Sequence, residues 1–201
     1  MAAVFGELIT LIEPDKRLGA ANEITDTTLP YSQSLFGVPA NLLIAGSMNT
    51  ADRSVEALDT ALRRRFSFTE KGVDLSVLKK TPAGIDLAAL LAAINKRLTV
   101  LLSKDQVIGH AWLMNADTLE KLQHAFRHKI VPLLQEFFYH DHAKIGLVLG
   151  DAFVQQTSDN KNLFARFKNS ANLADDYSDK VIYTLKDPMQ LSDVDFKSVY
   201  L

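Results

Sequence analysis

The sequence has no cysteine, so disulfide staples, thiolate zinc sites and cysteine nucleophiles are excluded together and the fold must rest on its core. That usage suits a reducing compartment. No apolar run approaches the ~20 residues that cross a bilayer, and the opening MAAVFGELITLIEPDKR carries acids where a secretory leader needs a basic end and an apolar stretch. The expectation is a soluble, cytoplasmic protein with no membrane contact. Charge of one sign is also lacking: 22 Lys and Arg stand against 24 Asp and Glu, a net charge of −2, which gives no chain-wide attraction to phosphate backbones. Residues 1–70 hold six basic and nine acidic residues, the remainder 16 and 15, so neither half is a basic module. Two catalytic motifs are missing as well. No Gly-x-x-x-x-Gly-Lys-Ser/Thr phosphate cradle occurs, and no Gly-x-Ser-x-Gly supports a serine nucleophile.

What is present is a chain of 201 residues with 47% apolar content, enough for one ordinary domain or two small ones. Phe5, Leu8, Ile9, Leu11 and Ile12 recur at helical spacing until Gly19, which predicts an opening amphipathic helix. Residues 19–39 have loop composition. Leu42, Leu43, Ile44 and Ala45 then form an unbroken apolar run that suits a strand buried on both faces of a parallel sheet. Ser54 can cap a helix ending at Arg63, Arg64 and Arg65, and Phe66 and Phe68 alternate with polar neighbours as a short strand does. The fold class expected is therefore α/β over residues 1–72, then mostly α over residues 73–201, separated by the loop Lys79 to Gly84. In the second part Asp86 can cap a helix through Leu102. A helix opening at Asp117, with Glu120 completing a capping box, buries Leu119, Leu122, Phe126 and Ile130, and Pro132 restarts a helix through Phe138. Val181 to Leu185 reads as a strand, giving a small C-terminal β element, and Ser192 to Tyr200 as a closing helix.

The densest cluster of chemistry is Asn49, Thr50, Ala51, Asp52 and Arg53, directly after the expected buried strand, where open parallel sheets bind their ligands. An Asn there can orient a water, and Arg53 can pair with Asp52 or face a phosphate. The same residues also serve simply to shape a turn and cap the next helix. The run Arg63 to Arg65 has two readings too: complement to a helix C-terminal dipole, or one arginine reaching a neighbouring subunit's phosphate. His110, between Gly109 and the apolar Ala111-Trp112-Leu113-Met114, is either a hydrogen-bonded core histidine or a residue presented towards a cleft. His124 with His128, and His140 with His142, have no acidic or Cys partner at a diagnostic spacing. They read as surface histidines, and no metal site is expected.

Several of these stretches together carry a resemblance. Phe5-Gly6-Glu7-Leu8-Ile9-Thr10-Leu11-Ile12-Glu13, Leu29-Pro30-Tyr31-Ser32, Phe36-Gly37-Val38-Pro39-Ala40-Asn41, and Met48-Asn49-Thr50-Ala51-Asp52-Arg53-Ser54 through Ala61-Leu62-Arg63-Arg64-Arg65-Phe66 closely resemble the McrB family of AAA+ nucleotidases. These are the motor subunits of 5-methylcytosine-specific restriction systems. Ile108-Gly109-His110 and Ile130-Val131-Pro132-Leu133-Leu134-Gln135-Glu136-Phe137-Phe138 resemble the helical lid of the same family more loosely, and residues 151–201 add little.

The resemblance implies that residues 1–72 are the C-terminal part of an AAA+ α/β nucleotidase core and residues 73–201 its helical lid with a C-terminal extension. It implies Asn49 as sensor 1, Asp52 and Arg53 in a guanine-nucleotide element, Gly109 and His110 as nucleotide-binding residues of the lid, and a finger among Arg63 to Arg65. Arg64 and Arg65 are the expected fingers, and Arg63 the structural ion-pair partner. The cofactor implied is GTP or ATP with Mg2+ in an intact protein, with none expected on this chain alone. Partners implied are further copies in a hexamer-type ring, a McrC-like nuclease subunit, and DNA through a separate upstream domain. The family's phosphate loop and magnesium-binding acids are expected upstream of Phe5, so the chain is read as the C-terminal portion of a larger motor and inactive alone. The rival expectation is a non-catalytic module that docks on an intact motor or on the nuclease.

Overall fold

Helix formation begins early and stops early. In the computed structural model, which describes residues 6, 8–25, 27–29, 31–48, 63–81, 83–158, 164–165, 176–177 and 179–201, α1 spans only Leu8–Leu11. The expected helix does not run on to Gly19, because Pro14 pushes Glu13 out of helical geometry (φ −62°, ψ 135°) and opens a 3₁₀ turn at Pro14–Lys16. The chain divides into two units, Met1–Lys71 and Gly72–Leu201.

In the first unit Arg17 is the organiser. Its Nε and Nη2 donate to Ile12 O at 3.2 and 3.0 Å, and its Nη1 donates to Leu42 O at 2.7 Å and Ala40 O at 3.3 Å. Five N–H donors in a fixed fork let one arginine hold carbonyls from two segments. Leu11, Ile12 and Val38 are buried. The strand expected at Leu42 to Ala45 is absent: the stretch has no ladder partner among the described residues, and Leu43 is 91% exposed. A strand of a covered parallel sheet holds only between neighbours, and no described strand of this unit stands beside it. Phe66 to Thr69 likewise forms no strand, and Phe68 is exposed. The α/β character expected for residues 1–72 is thus not seen among the described residues. Of the helix expected from Ser54, only Arg63 to Arg65 are described.

The second unit is built on well-capped helices. A tight turn from Thr81 to Ile85, with Gly84 at φ +75°, leads into it. Here glycine is required, since a side chain at that φ is strained. Asp86 caps α2, Leu87–Leu101, accepting from Ala89 N at 3.0 Å, as its position predicts. Leu87, Leu90, Leu91, Ile94 and Leu98 of α2 are buried on one face. α3, Leu119–Ala125, is capped by Thr118 rather than by Asp117, which pairs instead with Lys121 at 2.7 Å. The helix does not restart at Pro132. A π turn at Phe126–Ile130, closed by Val131 N donating to Phe126 O, carries it straight into α4, Val131–Phe137. Proline cannot donate to the carbonyl four residues back, and a widened turn is one way to absorb that gap.

Asp141 caps α5, His142–Leu149. β1, Val154–Thr157, pairs antiparallel with β2, Ile182–Leu185, in the register Val154 opposite Leu185. α6, Asp193–Lys197, opens with a full capping box between Ser192 and Asp195. The C-terminal segment is integral to the core: Phe126, Phe153 and Phe196 are all buried, with ring centroids 5.0–5.4 Å apart. Arg97 of α2 ties this together, donating through Nη1 to Val148 O and through Nη2 to Val199 O at 2.7 Å. The second unit is therefore mixed helical with a small two-stranded sheet. No helix among the described residues is long and apolar enough to cross a membrane.

Candidate functional site

The segment Ile108-Gly109-His110 is held from both sides. Ile108 is fully buried, and its backbone is gripped at both polar atoms by Asn95 of α2: Ile108 N donates to Asn95 Oδ1 at 2.7 Å, and Asn95 Nδ2 donates to Ile108 O at 2.9 Å. A side-chain amide offers one acceptor and two donors, so it can replace a strand neighbour for a single residue. Gly109 follows in extended geometry (φ −72°, ψ 145°) and is exposed, with nothing within 4 Å of where a Cβ would stand. His110 then opens a 3₁₀ turn, His110–Trp112, and is half-buried.

Its imidazole meets a fixed donor. Asp74 N donates to His110 Nδ1 at 3.0 Å, across 36 residues of sequence. The Asp74 carboxylate turns the other way and caps its own 3₁₀ turn, accepting from Ser76 Oγ at 2.6 Å and Ser76 N at 2.9 Å. These bonds hold its pKa below the ordinary carboxylate value, with His110 contributing a smaller Coulombic effect. Gly109 and His110 thus share one rigid, accessible corner of the second unit.

The other expected site residues fall elsewhere. Asn49, Asp52 and Arg53 lie outside the described residues. Within the arginine run the three side chains meet different surroundings. Arg65 forms an ion pair, its Nη2 standing 2.6 Å from Glu13 Oε1, while Arg63 lies 6.0 Å from the centroid of the Phe68 ring. Arg64 is exposed and makes no hydrogen bond or ion pair among the described residues. Three successive residues at a helix end point in different directions, so each meets a different neighbour. His124 and His128 stack on an exposed helix face at 5.6 Å, and His142 Nδ1 bonds Tyr183 O at 3.0 Å. Among the described residues no three His, Asp or Glu side chains gather as a metal set. An open groove of about 440 Å³ lies between Trp112, His128, Lys129, Pro132, Leu133 and Glu136, and it includes neither Gly109 nor His110.

Asn95 and Asp74 were invisible to sequence reasoning. An Asn on a helix with no local partner, and a backbone N–H 36 residues away, leave no spacing signal.

The span from the Asp86 cap into α5, which contains Asn95 and His110, matches the family described as McrB, alpha-helical lid domain, over residues 86–146. The chain is a McrB-like protein. It is 36% identical over 165 residues to the type IV methyl-directed restriction enzyme EcoKMcrB subunit of Escherichia coli (strain K12), covering 70% of this chain and 35% of that protein. It is also 25% identical over 185 residues to the type II restriction enzyme BsuMI component YdiS of Bacillus subtilis (strain 168), covering 81% of this chain and 53% of that protein. The McrB-like chain therefore spans about a third of one relative and about half of the other. The lid match stops at residue 146, whereas the hydrophobic core of the second unit continues through Phe153 and Phe196.

Proposed function

We propose that this McrB-like chain supplies the sensor, arginine and lid portion of a nucleoside triphosphate-driven motor that powers modification-dependent DNA restriction. The observation that carries the reading is the McrB lid match on the segment that presents His110. Residues 1–72 belong on this reading to an AAA+ α/β core and residues 73–201 to its lid with a C-terminal extension. GTP or ATP with Mg2+ sits between subunits of a hexamer-type ring. Asn49 orients the attacking water, Asp52 and Arg53 belong to the nucleotide-recognition element, and an arginine acts on the adjacent subunit's nucleotide as charge develops on the transferring phosphoryl group. Arg64 is the first choice for that role, because it alone of the three arginines is exposed without a partner among the described residues, whereas Arg65 engages Glu13. Gly109 and His110 reach the nucleotide from the lid. A McrC-like nuclease cuts the DNA, and a separate domain reads it. Both relatives carry restriction-system names, which is the support for that setting.

Phosphoryl transfer needs a phosphate loop, and this sequence contains none, so the complete motor joins this chain to a segment that does. The chain alone is expected to hydrolyse neither GTP nor ATP. The same lack favours the second reading, a docking module on an intact motor or nuclease. Asn49→Ala in the complete motor separates the two: a water-orienting residue acts in the transition state, so kcat falls about 10²-fold with little change in nucleotide affinity. Unchanged kcat would remove Asn49 from the chemistry and favour the docking module.

A further inference from the structure

His110 does more than stand in an accessible corner; its protonation pattern is set by the fold. Nδ1 accepts the Asp74 N–H at 3.0 Å, so in the neutral ring the lone pair is on Nδ1 and the proton is on Nε2. The Asp74 carboxylate is engaged with Ser76 N and Oγ, so it does not compete for Nδ1. The position of the ring follows from the backbone of Ile108, two residues earlier. That backbone is fixed by the double hydrogen bond to Asn95, whose helix α2 packs its leucines into the core. Gly109, between clamp and ring, brings no side chain and has open space beside it, so a ligand can approach.

We propose that Asn95 and the Asp74 amide are the positioning groups that present His110 as a neutral hydrogen-bond donor, through Nε2–H, to an acceptor oxygen of the bound nucleotide. The nucleotide part rests on the function proposed above; the tautomer and the Asn95 clamp do not. An acceptor oxygen is common to the phosphates and ribose of either nucleotide and to the base carbonyl of GTP.

The first test needs no nucleotide. Long-range proton–nitrogen NMR of the 201-residue chain reads which ring nitrogen of the neutral imidazole carries the proton. The expected result is a single Nε2–H tautomer in the wild type and a mixture in Asn95→Leu, with thermal unfolding showing that Asn95→Leu is still folded. An Nδ1–H or mixed wild-type ring overturns the proposal, and so does a folded Asn95→Leu that keeps the pure wild-type tautomer. If Asn95→Leu does not fold, Asn95→Asp, which keeps the acceptor for Ile108 N and loses the donor to Ile108 O, takes its place and is read the same way.

The second test is nucleotide affinity in the complete motor. A glutamine amide places its N–H near the Nε2 position and an asparagine amide does not reach it. His110→Gln is therefore expected to bind nucleotide like wild type, while His110→Ala and His110→Asn bind about 5-fold more weakly, the loss of one ordinary hydrogen bond. Equal losses for GTP and ATP place the acceptor on the phosphates or ribose, and a loss for GTP alone places it on the base. Wild-type affinity in His110→Ala overturns the contact while leaving the motor reading intact. A wild-type motor that binds no nucleotide removes that reading and the contact with it, an outcome the wild-type control identifies directly.

Discussion

Replacing Arg97 by methionine keeps the aliphatic stem and deletes the two charge-assisted hydrogen bonds to Val148 O and Val199 O. Both carbonyls lie at helix ends, where helical bonding leaves them unpaired: Val148 in the last turn of α5 and Val199 just beyond α6. A cation there also complements the helix dipoles. Hydrogen bonds to charged groups contribute about 1.5–3 kcal/mol each. The site is only half-buried, so water recovers part of that loss, leaving about 2–4 kcal/mol for the pair. Arg97→Lys keeps the charge but cannot fork to two carbonyls, so it loses about half as much. The assay is urea unfolding followed by tryptophan fluorescence, because the sole tryptophan, Trp112, sits in the lid and reports that unit. With a slope of roughly 2 kcal/mol/M, Arg97→Met lowers the midpoint by about 1–2 M at unchanged slope. Arg127→Met is the control. Its pair with Asp187, 3.3 Å apart, is between a third and a half exposed on both sides, so its loss stays under about 1 kcal/mol. A midpoint for Arg97→Met indistinguishable from that of Arg127→Met would refute the idea that Arg97 ties the C-terminal segment to α2.

Phe196→Ala removes a fully buried ring that stacks edge-on against both Phe126 and Phe153, at an expected cost of about 3–5 kcal/mol. Hydrogen exchange of the α2 amides would accelerate together; an effect confined to α6 would show the C-terminal segment to be dispensable for the lid. Acid should weaken the second unit through its helix caps. The Asp86 carboxylate is held below its ordinary pKa, chiefly by the Ala89 N–H and then by Lys80, and Asp195 chiefly by the Ser192 backbone. A depressed folded pKa contributes stability above the unfolded value of about 3.9, and that contribution is lost as pH falls through the folded value. Asp86→Asn retains a good cap at neutral pH and flattens the loss below about pH 4; parallel pH profiles for the two proteins would contradict this.

The second unit is legible wherever its instructions are local. The Asp86 cap, the leucine face of α2 and the Ser192 start of α6 are all signals within a few residues. α5 is harder to read because its cap, Asp141, stands between two histidines rather than before a clear apolar period. β1 escaped because Gln155, Gln156 and Thr157 are all exposed, so the strand shows no apolar alternation. Leu42 to Ala45 misled in the opposite sense: an apolar run states a wish to be buried, not the presence of neighbours to bury it. At the candidate site the resemblance singled out Gly109 and His110, but the Asn95 and Asp74 groups that fix them act across 13 and 36 residues. Likewise the arginine run marked a helix end without telling which member would turn back to Glu13.

The central claim is that this chain lends an arginine to a neighbouring subunit, and a mixed ring tests it most directly. A complete motor carrying Arg64→Ala keeps its own phosphate loop but fails its neighbour, whereas one lacking the phosphate-loop lysine has the opposite defect. Arg64 suits the experiment better than Arg65, whose removal also breaks the pair with Glu13 and perturbs the first unit. Each mutant alone should be nearly inactive, since a finger is worth roughly 10³-fold or more in rate. Mixed in one ring, they create junctions in which an intact arginine faces an intact loop, and nucleotide hydrolysis is predicted to recover to a measurable fraction of wild type. Mixed rings that assemble, shown by mass, yet hydrolyse no faster than either mutant alone would contradict action in trans and return the run Arg63 to Arg65 to the role of a helix-end cation cluster.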